Sequence, residues 1–450
     1  APLDAGNASL ARALGLAASV TLSARPADPR AELDIACEFA RAGGYIEALA
    51  ATADGEPGAP ETPSAFGNTA PLRHILRAAW ADAAGDAATA DAERDALARV
   101  SLALAFPAGL DVYDALTRLA ASDSAPSATR TVARALRGMW LLDAGRDADA
   151  LADLVAATDA GLDDPVAWRN RALAIVRTGG SLDDADGAFA AAIALRPDGR
   201  LLFERDLLGA IAGRSPAVRL ALLEEHADVL ATRDDLALAH VTLLLDTDRI
   251  DEAWRILTTR IFRPFEGGEG RVIAAYDRAA CLLARRLLDG GETDAAIALL
   301  EEGIVVPPHL GEGRHPAERP TERLVLLGDA HAAAGDRDAA QRAWEATCAD
   351  SPYAVGEHPP GEADVWVGIA HTRLGDRDRA RPVWDALDAR ADELERARDT
   401  VDYFATSLPE LVVFDVDTAA ARAATAARLR AGAAAGRALS DAATAERTPA

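Results

Sequence analysis

The chain has 450 residues, 50% hydrophobic but only 5% aromatic, and about a quarter of it is alanine. Small side chains let helix backbones approach, whereas an all-β or doubly wound α/β fold would want more Val, Ile, Tyr and Phe. All 47 basic residues are arginine, set against 72 Asp and Glu, and the net charge of -25 disfavours nucleic acid and anionic membrane surfaces as partners.

The start, Ala1-Pro2-Leu3-Asp4, has neither the basic start nor the apolar run of a secretory signal, and no initiator Met. It reads as a cytoplasmic chain, processed or cut from something longer. No run of eighteen apolar residues follows, so no membrane-spanning helix is expected. Cys37, Cys281 and Cys348 are widely separated and form no C-x-x-C, which fits buried free thiols rather than disulfides or a zinc site. The acidic bias fits a GC-rich genome or a well-hydrated surface as readily as it fits a partner.

A repeat dominates the chain. A turn residue is followed five positions later by Ala at Gly43/Ala48, Gly85/Ala90, Gly145/Ala150, Gly180/Ala185, Gly290/Ala295, Gly335/Ala340 and Gly375/Ala380, with Asp248/Ala253 as an eighth copy. Seven residues before the turn stands something small, as at Ala36, Ala78, Gly138, Gly328 and Gly368. Nine after it stands a bulky knob, as at Leu154, Phe189, Leu257, Leu299, Trp344 and Trp384. Pro197, Pro307 and Pro352 then close the unit. The spacing predicts helical hairpins in which the small residue lets the second helix pack close, the bulky residue fills the gap to the next unit and proline ends the second helix. Thr52 and Arg94 occupy the knob position of the first two copies. The stretches 108–122 and 201–231 fill double-length gaps and read as further helical pairs, and a six-residue insertion falls around Tyr353–Gly361.

The pattern resembles the tetratricopeptide repeat, whose unit is about 34 residues. That resemblance implies an all-α solenoid of about ten antiparallel helix pairs in a right-handed superhelix. The array is expected over 1–417, with an Ala-rich helical cap and fraying tail over 418–450.

Three segments exceed what stacking requires. Arg263–Arg271 (RPFEGGEGR) and Pro307–His315 (PPHLGEGRH) fall at matching inter-repeat positions and share Gly-Glu-Gly-Arg, at 268–271 and 311–314. Their carboxylates could converge for acid/base work on a glycosidic bond or for holding sugar hydroxyls; equally, they could cap the following helices. The candidate binding residues here are Glu266, Glu269, Arg271, Glu312 and Arg314. Asp402–Glu410 (DYFATSLPE) adds Asp402, Tyr403 and Ser407, although its place one repeat further on strains convergence. His309, Glu312 and His315 have H-x-x-E-x-x-H spacing, but two glycines argue for a loop, and no metal or other cofactor is expected. Leu411–Thr418 (LVVFDVDT) looks like a phosphatase nucleophile strand, yet too little chain follows it for the sheet that chemistry needs.

The segments Trp168–Val176, Phe262–Val272, Pro307–Arg314 and Asp402–Phe414, in that order, resemble a bacterial family. Its members join an N-terminal galactose-mutarotase-like β-sandwich domain of unknown function to a tetratricopeptide region. The resemblance implies a non-catalytic module engaging a protein, a peptide or such a β-sandwich. The alternative it leaves open is the helical half of a carbohydrate-active enzyme, with possible carbohydrate as ligand.

Overall fold

The computed structural model describes residues 28–52, 67–315, 317–349, 358–398, 413–414 and 417–445. Among these residues every regular element is helical, and twenty-one α-helices occur. The chain divides into two compact units, residues 1–201 and 202–450.

The first unit contains α1 (Pro29–Arg41), α2 (Tyr45–Ala51), α3 (Ala70–Ala84), α4 (Ala87–Leu97), α5 (Leu110–Ala120), α6 (Ser127–Asp143), α7 (Asp147–Asp159), α8 (Pro165–Arg177) and α9 (Leu182–Leu195). Then follow α10 (Gly199–Ile211), α11 (Pro216–Glu224), the single turn α12 (Ala227–Leu230), α13 (Asp234–Asp246), α14 (Ile250–Thr259), α15 (Arg271–Asp289) and α16 (Thr293–Glu302). The second unit closes with α17 (Thr321–Ala333), α18 (Arg337–Cys348), α19 (Glu362–Arg373), α20 (Arg377–Arg396) and α21 (Thr418–Ala445). Adjacent helices pair across the predicted turns, so the chain is a tetratricopeptide-like helical repeat. Residues 201–231 hold the expected pair α10 and α11. Residues 108–122 do not hold a pair: α5 stands there alone, after an irregular segment in which Leu104 takes φ 57°.

The turn chemistry is local. Gly43, Gly85, Gly145, Gly335 and Gly375 all have positive φ, where a Cβ is penalised, and Asp248 takes the same region at φ 61°. In three turns the residue after the glycine is an aspartate whose carboxylate accepts an amide of the new helix. These bonds are Thr89 to Asp86 (3.1 Å), Ala339 to Asp336 (2.9 Å) and Arg379 to Asp376 (3.2 Å). Left-handed glycine plus N-cap aspartate is therefore the working turn. Two Gly-Gly turns depart from the expected positions: at the first Gly179, not Gly180, carries the positive φ while Ala185 and Phe189 remain buried, and at the second the register shifts. Gly291, not Gly290, carries the positive φ, and the buried residues five and nine later are Ala296 and Leu300. The Gly-Gly pair made the two registers hard to separate in sequence.

Packing explains the small positions. A Cβ on Gly138 would lie 2.7 Å from Leu154 Cγ, and one on Gly328 would lie 2.9 Å from Trp344 Cε2. In these hairpins, and at Gly368 with Trp384, the knob of the second helix rests on the bare backbone of the first rather than filling the gap to the next unit, because only a missing Cβ leaves it room. In the second unit, Trp384 of α20 is 1% exposed, held between Gly368 of α19 and Gly436 of α21. Gly432, four residues before Gly436, meets Val365 in the same way, so the long Ala-rich α21 docks on the last hairpin through a glycine-surfaced stripe. Burying a Leu or Trp knob contributes about 2 kcal/mol or more each.

Cys37 and Cys281 are buried and Cys348 is half-buried; all three are free thiols. Burial pushes the Cys37 thiol up to about 11 and Cys281 higher still, so neither is a ready nucleophile at neutral pH.

Candidate functional site

The two Gly-Glu-Gly-Arg loops lie against each other in the second unit. After α14 the chain turns outward. Arg260 pairs with Asp234 (2.6 Å) and lies over the Phe262 ring (5.4 Å), while Phe262 is buried. The Phe262 N–H donates to the His309 carbonyl (2.8 Å), and the His309 ring Nε2 contacts the Leu257 carbonyl (2.8 Å). Gly311, at φ 82°, sits so close that a Cβ there would be 3.0 Å from the Phe262 carbonyl carbon. The second loop therefore rests on the backbone of the first.

The first loop folds back through two left-handed glycines, Gly267 and Gly270. The Gly268 N–H donates to Phe265 O (3.0 Å), and the Phe265 ring covers Gly268, where a Cβ would be 2.5 Å from ring Cζ. Gly270 is the N-cap of α15, and its N–H donates to Glu312 Oε2 (2.9 Å). A carboxylate from the neighbouring repeat thus caps α15 at the positive end of its dipole. The capping alternative raised by the sequence is what Glu312 Oε2 does, but across repeats rather than within its own loop.

Arg314 faces inward as well. It pairs with Asp277 of α15 (2.7 Å), which also holds Arg323 of α17 (3.0 Å). Arg323 is 0% exposed, donates Nη1 to the Leu299 and Leu300 carbonyls (3.1 and 3.3 Å), and lies 5.3 Å over the Tyr276 ring. Tyr276 in turn stacks on Trp254 at 5.0 Å. Sequence reasoning missed Asp277, Tyr276 and Arg323. The one local signal was an arginine inside the apolar run TERLVLL, and its hydrogen-bond partners lie 23 to 46 residues away.

Glu266, Glu269 and Arg271 are exposed, and Arg271 reaches back to Gly267 O (3.4 Å). Glu266, Glu269 and Glu312 line one hollow of about 270 Å³ with Arg263, Phe265 and Leu310. The structure therefore brings three of the five expected loop residues around a common space, holds Arg314 as an internal ion pair, and leaves Arg271 beside the loop. Asp402, Tyr403 and Ser407 lie outside the described residues. For glycosidic chemistry, Glu312 gives Oε2 to the Gly270 amide, and Glu266 and Glu269 are both exposed.

Among the described residues no group of three or more His, Cys, Asp or Glu could hold a metal ion. His315 Nδ1 instead accepts from the Ala317 amide (3.1 Å). No helix among them is long and apolar enough to cross a membrane. A larger hollow of about 510 Å³ lies in the first unit, lined by Ile75, Asp82, Arg94, Arg118 and Ser122 among others. Arg94 there is already held by Asp82 and Asp91.

No family model matches the chain. Among solved structures it is similar to a tetratricopeptide repeat protein from Parabacteroides merdae, at 15% identity, over 62% of this chain and 92% of that one, with TM-score 0.29. It is also similar to yeast Tom70, at 13% identity over 93% and 89%, with TM-score 0.27. The hairpin geometry described above, not overlap of this extent, is what makes the chain a tetratricopeptide-like helical repeat.

Proposed function

We propose that the chain is a binding scaffold whose inter-repeat loop edge in the second unit seats a protein or peptide partner. One observation carries this reading. Stacking needs only the small residue, the turn and the knob, yet two further loops interlock through Phe262–His309 and Gly270–Glu312 and leave a hollow rimmed by carboxylates. A cleft fixed by backbone bonds presents its side chains without a large ordering cost on binding. A β-sandwich domain of the kind found in the resembled family is one form such a partner takes.

A steric block tests the reading. Glu266 is exposed at the rim, so Glu266→Trp fills the hollow without entering the core. Peptides selected against the full chain from a random displayed library are expected to lose binding to this variant while its melting temperature stays unchanged. Selected peptides that bind the variant as tightly as the parent would remove the loop edge as the site.

A further inference from the structure

We infer that the residue seated in this hollow is a basic side chain, Arg or Lys, of the partner. The inference rests on the loop-edge reading and gives it a chemistry. At about 270 Å³ the hollow has room for one long side chain. Its walls include the half-buried Phe265, backed by the buried Val272 and Leu310, and the Phe265 ring can cover an aliphatic stem. The Phe265 ring, pressed on Gly268, is fixed in place and offers a π surface to a cation.

The polar groups point the same way. Glu312 gives Oε2 to Gly270, but its Oε1 is buried and finds no donor in the chain. The carboxylate keeps its negative charge beside the hollow, and the attraction of a cation to it needs no direct hydrogen bond. With Glu266 and Glu269 the lining holds three carboxylates against one guanidinium, Arg263, a formal balance of -2. The field of a chain at net -25 with no lysine attracts cationic segments from a distance. Ile261 and Val305, on the segments leading into the two loops, are 76% and 79% exposed and offer apolar footing to flanking residues of the partner.

The test is a positional-scanning peptide array, each member varied at one position on a neutral background, probed with the full chain at low and high salt. Arg and Lys are expected to exceed Ala at one position by about tenfold, with the excess shrinking in salt. Glu269→Gln and Glu312→Gln should each cut that preference several-fold. Glu312→Gln keeps a carbonyl oxygen for the Gly270 amide, and an unchanged melting temperature confirms that the loop persists. A preference for apolar or acidic residues that Glu266→Trp abolishes would overturn the basic-residue inference and leave the loop-edge reading standing. Absence of binding, or binding indifferent to all three variants, would overturn both. A preference for Arg and Lys that survives Glu312→Gln and Glu269→Gln would place the cation elsewhere and equally overturn the inference.

Discussion

Gly368→Ala adds one methyl group at the tightest point of the last hairpin. The new Cβ would lie 2.5 Å from Cζ2 and Cζ3 of Trp384, inside the 3.0 Å that real Cβ contacts respect. The ring cannot retreat, because Gly436 of α21 faces it from the other side, with a Cβ position 2.5 Å from Cζ2. Overpacking of this kind costs about 1–3 kcal/mol, and a ring clamped on both sides belongs at the upper end. Replacing glycine by alanine in a helix interior returns about 1 kcal/mol. The net loss is therefore about 2 kcal/mol, roughly a 30-fold shift in the local opening equilibrium. Repeat arrays need not unfold in one step, so amide hydrogen exchange of α19, α20 and α21 is the appropriate assay. Those helices should exchange roughly 30-fold faster, while the first unit is unaffected. Trp384→Phe in the Gly368→Ala background should recover part of the loss, a non-additivity expected of residues in contact. Gly187→Ala is the control: its Cβ meets nothing within 4 Å on the exposed face of α9, so it should stabilise by up to about 1 kcal/mol. If Gly368→Ala proves as stable as Gly187→Ala, the clamp does not exist.

Two further outcomes follow from buried polar groups. Arg323→Met strands Asp277 and two carbonyls; since Asp277 keeps Arg314, the loss should sit at the lower end of the range for broken buried pairs, about 3 kcal/mol by urea denaturation, and a loss under about 1 would show the arginine dispensable. Burial alone raises the Glu93 carboxyl, but hydrogen bonds from His74 (2.7 Å) and Arg77 (2.5 Å) outweigh it and hold the carboxyl below the ordinary glutamate value of 4.5. A carboxyl depressed in the folded state adds stability above its unfolded value and loses it as the pH falls through the lowered one. The stability gap between the parent and Glu93→Gln should therefore be widest near neutral pH and shrink below about pH 4; a gap constant with pH would refute the assignment.

The sequence by itself determined the helical hairpins, because each depends on short-range chemistry. A left-handed glycine must lack a Cβ, an aspartate one residue on can reach the next helix, and a small residue seven before the turn lets the second helix pack close; that the knob lands on that small residue, not between units, was decided by packing. Even Asp248 was legible as a turn. Where local signals were degenerate, the reading slipped: Gly290-Gly291 offered two registers, and residues 108–122 had helix-forming composition but only one helix. At the candidate site the sequence marked the two loops, since their shared Gly-Glu-Gly-Arg exceeds what stacking requires. It could not assign roles within them. Glu312 and Glu269 occupy the same place in the shared motif, yet one caps α15 of the preceding repeat and the other stays in water. Arg314 and Arg271 match in the same way, yet Arg314 pairs with Asp277 while Arg271 is exposed. Those differences are set by which repeat lies on which side of each loop. Such contacts span about forty residues, and only the packed helices decide them.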